Sequence, residues 1–120
     1  MIIFLYGSDT YRSRQKLNEI VEHYKKIHKS GLNFGSLDCD SLNFEDIKNE
    51  IQSTPMFKEK KLMVFKNSFS NQKNEERILE IIKKNKNSDD IILIYEEKEI
   101  DSKKPLFKFL RKWGKYQEFK

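Results

Sequence analysis

The sequence predicts an α/β domain of three layers, a mainly parallel five-stranded sheet with helices on both faces. Three observations carry that expectation. Short runs that are apolar at every position, Ile2 to Tyr6, Leu62 to Phe65 and Ile91 to Tyr95, suit strands buried on both faces. Stretches with apolar residues at helical spacing separate them. Strands alternating with such stretches are the pattern of parallel sheets joined by right-handed crossovers.

Each element follows from local chemistry. After the first strand ends at Gly7, Leu17, Ile20, Val21, Tyr24 and Ile27 recur at helical spacing, with Ser8, Asp9 or Thr10 able to cap the start and Gly31 just beyond the end. Asn33 to Cys39 alternates less cleanly and contains a glycine, so it reads as a second strand. Phe44, Ile47 and Ile51 mark a short helix, opened by Ser41 or Asn43 and closed by Pro55, which disfavours helical geometry at Thr54. Leu62 to Phe65 is the third strand. A polar connection over Asn67 to Ser70 leads to a helix over Glu75 to Lys84, with acids at its front and lysines at its back as the helix dipole favours. The strand Ile91 to Tyr95 follows. A last helix, capped by Asp101 or Ser102, turns Leu106, Phe107, Phe109, Leu110 and Trp113 to the core and stops at Gly114, and Tyr116 to Phe119 closes the sheet as an edge strand.

Composition bounds the function. The chain has 120 residues, 24 Lys and Arg against 19 Asp and Glu, and a formal net charge of +5, enough length for one domain with a real core. The cations are mostly lysines interspersed with acids, which suits a solvated surface, although a modest positive field also helps a protein work near DNA. Cys39 is the single cysteine, so it can form no disulfide within the chain and a thiolate metal site cannot be assembled. With no basic leader and only a brief apolar run at the N-terminus, the expectation is a cytoplasmic protein with no membrane partner. His23 and His28 lack any companion at metal-ligand spacing, so no metal and no cofactor are expected.

Sites in such sheets lie beyond the carboxyl ends of strands, where strand order reverses. The strand–Gly7–helix context invites a phosphate loop, and the residues decline it: Arg12 stands in place of the second glycine, Ser13 of the lysine and Arg14 of the magnesium-binding hydroxyl. Arg12 and Arg14 remain candidates for contact with an anion, or for helix-start residues facing water. Glu96 and Glu97 mimic a Walker B end with no phosphate cradle to serve. No catalytic set of Ser, His and Asp or of Cys and His can be composed, so the chain is expected not to be an enzyme by itself.

Met56 and Phe57 are placed in a connection by the helix break at Pro55 and flanked by the charged run Lys58 to Lys61. Large apolar side chains on such a turn either contact another protein or fold back as a lid on the core.

Leu5 to Tyr11, Leu37 to Asp40, Ser53 to Asn67 and Ile100 to Lys112 together resemble the N-terminal domain of the δ subunit of bacterial DNA polymerase III. The similarity runs nearly end to end, four motifs in order. It implies an AAA+-like, P-loop NTPase fold whose phosphate loop has degenerated. It also implies a role in DNA replication as a clamp-loader component of the polymerase III holoenzyme, which binds the ring-shaped sliding clamp (the β subunit) and helps open it without hydrolysing ATP. The family's clamp-binding element is a small-Leu-Phe triplet before the third strand. The matching positions are Pro55, Met56 and Phe57, with methionine in place of leucine, a substitution of similar volume and greater flexibility. The resemblance makes residues 1–120 a single clamp-binding domain, without the second and collar domains through which the family meets other loader subunits; contact with DNA is then only indirect. The alternatives from the residues alone are a nucleotide-binding NTPase domain and a basic nucleic-acid-binding module.

Overall fold

A computed structural model describes residues 1–28, 33–41, 43, 45–46, 49 and 60–120. In chain order these form β1 (Ile2–Tyr6), α1 (Thr10–Ile27), β2 (Phe34–Asp38), β3 (Leu62–Lys66), α2 (Gln72–Asn85), β4 (Ile91–Glu96), α3 (Pro105–Trp113) and β5 (Lys115–Glu118). The short helix expected around Phe44, Ile47 and Ile51, Gly31, and the triplet Pro55, Met56 and Phe57 lie outside the described residues.

The five strands make one sheet in the order β2-β3-β4-β1-β5, and every neighbouring pair is parallel. Thus the three apolar runs are the three central strands, as their composition predicts. Side chains of a strand alternate between faces. Ile2, Phe4, Tyr6, Met63, Phe65, Ile92 and Ile94 pack with Ile78, Ile81 and Ile82 of α2 and Leu106, Phe107 and Leu110 of α3. On the other face Leu5, Leu62, Val64, Leu93 and Tyr95 pack with Leu17 and Tyr24 of α1. Each central strand is apolar at successive positions because each face has its own helix layer to bury against.

Local signals set the helix ends. Asp9 caps α1, its carboxylate accepting the Arg12 N–H at 3.1 Å. Asn71 caps α2 in the same way through the Asn74 N–H at 2.8 Å, so that helix begins at Gln72, earlier than its acids suggest. The expectation that Asp101 or Ser102 caps α3 is corrected. The N-cap is Lys104, with no side-chain cap and Pro105 in the first turn; proline suits that position because its ring presets φ and the missing N–H would be unpaired there anyway. Asp101 caps only the turn before it, accepting the Lys103 N–H at 2.9 Å.

Two further differences concern the core. Trp113 does not face it: the ring is 49 % exposed at the end of α3. Phe69, in a connection that reads as polar, is buried and stacks against Phe4 at 6.0 Å. The edge strand β5 keeps all four residues exposed, and Phe119, just past it, is buried on the α1 face.

Candidate functional site

Because β1 and β4 are neighbours while α1 and α3 leave them toward opposite faces, their carboxyl ends bound the crevice where ligands of open α/β sheets bind. Gly7 ends β1 with φ of +133°, in the region that only glycine adopts freely. A β-carbon at Gly7 would lie 2.1 Å from the Phe119 carbonyl oxygen. The backbone after β5 therefore lies directly against the turn that would hold a phosphate.

A phosphate cradle works by aiming unpaired backbone N–H groups at one point. Here five of those groups are taken. Gly7 N–H donates to the Lys98 carbonyl at 3.0 Å, Asp9 N–H to Phe119 at 3.0 Å, Thr10 N–H to Ser8 at 3.0 Å and Ser13 N–H to Asp9 at 3.1 Å. The Arg12 N–H is held by the Asp9 carboxylate, which also brings its own negative charge to the helix N-terminus.

Both candidate anion-contacting arginines sit beside this turn, each opposite a carboxylate of the chain itself. Arg12 lies 3.8 Å from Asp9 and its guanidinium stands over the Phe119 ring at 5.9 Å. Arg14 donates to Glu97 at 2.7 Å, joining the start of α1 to the end of β4, and that hydrogen bond and charge raise its pKa above the ordinary value. Ser13, standing where a phosphate-loop lysine would be, is fully buried, and its hydroxyl meets the Tyr95 hydroxyl at 3.0 Å. It is a packing and hydrogen-bonding residue of the α1–β4 contact.

The two Walker B-like acids part company. Glu97 is the exposed partner of Arg14, whereas Glu96 is 1 % exposed and turns to the other side of the sheet. One of its oxygens accepts the Ser68 N–H at 2.6 Å and the Phe69 N–H at 3.3 Å; the other has no partner among the described residues. Burial pushes this carboxyl up to about 7 against the opposing effect of the two amides. Nearby Cys39 is buried, its thiol 3.8 Å from the Ser68 hydroxyl and pushed up to about 11 by burial. A thiol so protonated is not a nucleophile at neutral pH. Among the described residues no group of three or more His, Cys, Asp or Glu is placed to hold a metal ion, and no helix is long and apolar enough to cross a membrane.

Sequence reasoning found Gly7, Arg12, Arg14, Glu96 and Glu97 but not Phe119, Tyr95 or Ser68 as their partners, because those contacts join residues remote in the chain. Pro55, Met56 and Phe57 are outside the described residues.

A sequence-family model described as DNA polymerase III, delta subunit matches residues 4–120. No curated protein sequence matches the chain. Among solved structures, the fold is similar to the Bacillus subtilis DNA clamp loader delta protein (YqeN), with a TM-score of 0.70 and 20% sequence identity, over 98% of this chain and 38% of that one. The chain thus spans well under half the length of that relative, and at this identity the likeness concerns the fold.

Proposed function

The chain belongs to the family described as DNA polymerase III, delta subunit, and from that premise we propose that it is a clamp-binding domain of a replicative clamp loader, one that grips the sliding clamp and favours its opening without turning over ATP. The observation that carries this reading is the family match itself, which runs through the Pro55, Met56 and Phe57 positions. Closure of the phosphate turn supports the second half: amides committed to Lys98, Phe119, Ser8 and Asp9 are not free to bind a nucleotide.

In this reading Met56 and Phe57 enter an apolar pocket of the clamp. Burying each contributes roughly 1.5 to 3 kcal/mol, and such anchors dominate an interface while the charged residues around them, here Lys58 to Lys61, add little. Opening needs no chemistry. A binder that fits the open clamp better than the closed one shifts the equilibrium by its difference in affinity.

The test is a binding titration against the sliding clamp of the same organism, with wild type and the M56A/F57A double variant. The variant is expected to bind about a hundredfold more weakly or worse, at about 1.4 kcal/mol per tenfold, with its melting temperature nearly unchanged. Unfolding of the variant identifies the pair as a lid on the core. Undiminished binding by a folded variant removes these two residues from the interface.

A further inference from the structure

The positive charge of this chain is not evenly spread. Residues 103–120 hold seven cations and one acid, an excess of six, larger than the +5 of the whole chain. The fold then gathers part of this excess on one surface. Lys108, Arg111 and Lys112 are spaced three and four residues apart, so they share a stripe of α3, opposite the stripe whose Leu106 and Leu110 fill the core. Together with Tyr116 of β5 they line an open hollow of about 360 Å³.

Aromatic rings are interleaved with these cations. The Arg111 guanidinium lies over the Tyr116 ring at 3.9 Å and donates to the Tyr116 hydroxyl at 3.1 Å and the Tyr6 hydroxyl at 3.3 Å, so it is held in place. Around the end of the helix, Trp113 has Lys86 over its ring at 4.2 Å and Lys112 at 5.4 Å. Trp113 and Tyr116 remain 49 % and 47 % exposed. The acid of this segment, Glu118, has Lys120 at 3.9 Å. Half-exposed rings set among cations are the two components of a single-strand binding surface: phosphates meet the cations and unpaired bases meet the rings. A duplex would use only the first, since its base faces are already stacked. An acidic protein could use such rings as well, and the polyglutamate arm of the test below tells acidic side chains from stacked bases.

We propose that Lys86, Lys108, Arg111 and Lys112, with Trp113 and Tyr116, form a binding surface for single-stranded DNA. None of these residues enters the clamp reading, so the two stand or fall separately.

Trp113 is the only tryptophan of the chain, and its emission reports directly on the surface. The experiment titrates the 120-residue protein with a 20-nucleotide single-stranded DNA at 50 mM salt. Expected are quenching of Trp113 and an affinity that falls with salt at a logarithmic slope of about −3, as four phosphate contacts to single-stranded DNA require. The K108A/K112A variant, altered at two exposed positions, is expected to keep its melting temperature, to lose at least about tenfold in affinity and to show a salt slope flattened to about −1.4, as the loss of two phosphate contacts requires. Absence of salt-dependent binding overturns the proposal, as does binding that K108A/K112A leaves unchanged. A 20-base-pair duplex or polyglutamate binding as tightly as the single strand, with Trp113 emission unaltered, also overturns it in favour of a general anion surface.

Discussion

Gly7 and Phe119 are locked backbone to backbone: the Phe119 N–H donates to the Tyr6 carbonyl at 2.8 Å and its carbonyl accepts the Asp9 N–H at 3.0 Å, so the chain after β5 straddles the glycine. Any side chain at residue 7 meets both a positive φ and a backbone it cannot displace. Gly7→Ala is therefore expected to destabilise the protein by at least about 2 kcal/mol, since strain of about 1 to 3 kcal/mol from the φ alone adds to the clash. Urea unfolding checks this; a midpoint within error of wild type would show that the contact yields easily.

The same closure bears on nucleotides. A ligand at a hundred times its dissociation constant adds about 2.7 kcal/mol to stability, so millimolar ATP with magnesium would raise the melting temperature visibly if the crevice bound it. No shift is expected, and no magnesium-dependent hydrolysis. A turnover abolished by Glu96→Gln would contradict the reading of the crevice.

Glu96 gives the protein a pH dependence of definite sign. Its carboxyl rises from the ordinary 4.5 to about 7 on folding, so between those values the folded state holds a proton that the unfolded state releases. The contribution of this group is then fully present below pH 4.5 and lost as pH rises through 7, by roughly 3 kcal/mol at about 1.4 kcal/mol per unit. In Glu96→Gln this decline is expected to vanish, while the side-chain oxygen can still accept the Ser68 and Phe69 N–H groups. Denaturation midpoints of both proteins between pH 5 and 8.5 check it; parallel profiles would exclude Glu96 as the titrating group.

Leu93 is fully buried in β4, the strand at the middle of the sheet, on the α1 face. Leu93→Asp places an unpaired carboxylate there, at a cost that exceeds the few kcal/mol of net stability a domain of this size holds. Loss of cooperative thermal unfolding is the expected outcome, and a folded variant would mean the α1 layer can separate from the sheet.

The sheet was legible in the sequence because two-sided burial leaves a mark that needs no knowledge of partners: every position of Ile2 to Tyr6, Leu62 to Phe65 and Ile91 to Tyr95 has a layer to meet, hence the unbroken apolar runs, and the exposed Lys66 follows where that cover ends. The edge position of β5 was legible for the converse reason. Phe69 and Trp113 show where that logic stops. Composition around Phe69 is polar, yet an aromatic cluster with Phe4 and Phe107 needs a ring from that connection; Trp113 continues an apolar stripe that α3 outruns by one turn. At the crevice the sequence reveals what is missing from a phosphate loop but not what replaces it, since Phe119, Lys98 and Glu97 reach Gly7 and Arg14 only through the fold. The basic surface is half legible. The excess of cations over residues 103–120 can be counted in the sequence, but Lys86 joins Trp113 only when α2 packs beside α3.

The placement of β1 between β4 and β5 has a consequence for synthesis. β1 leaves the ribosome before both of its neighbours and can pair with neither until Ile91 to Glu96 and then Lys115 to Glu118 have followed it out. Until then its apolar positions must be kept from other chains, whereas β2 and β3, nearer in sequence, wait less for one another. Closure of such distant pairings is slow, and the exposed runs are prone to aggregate meanwhile. Nascent chains truncated before residue 91 would for that reason be substrates for chaperones that hold unpaired strands, and those extended past residue 118 would not.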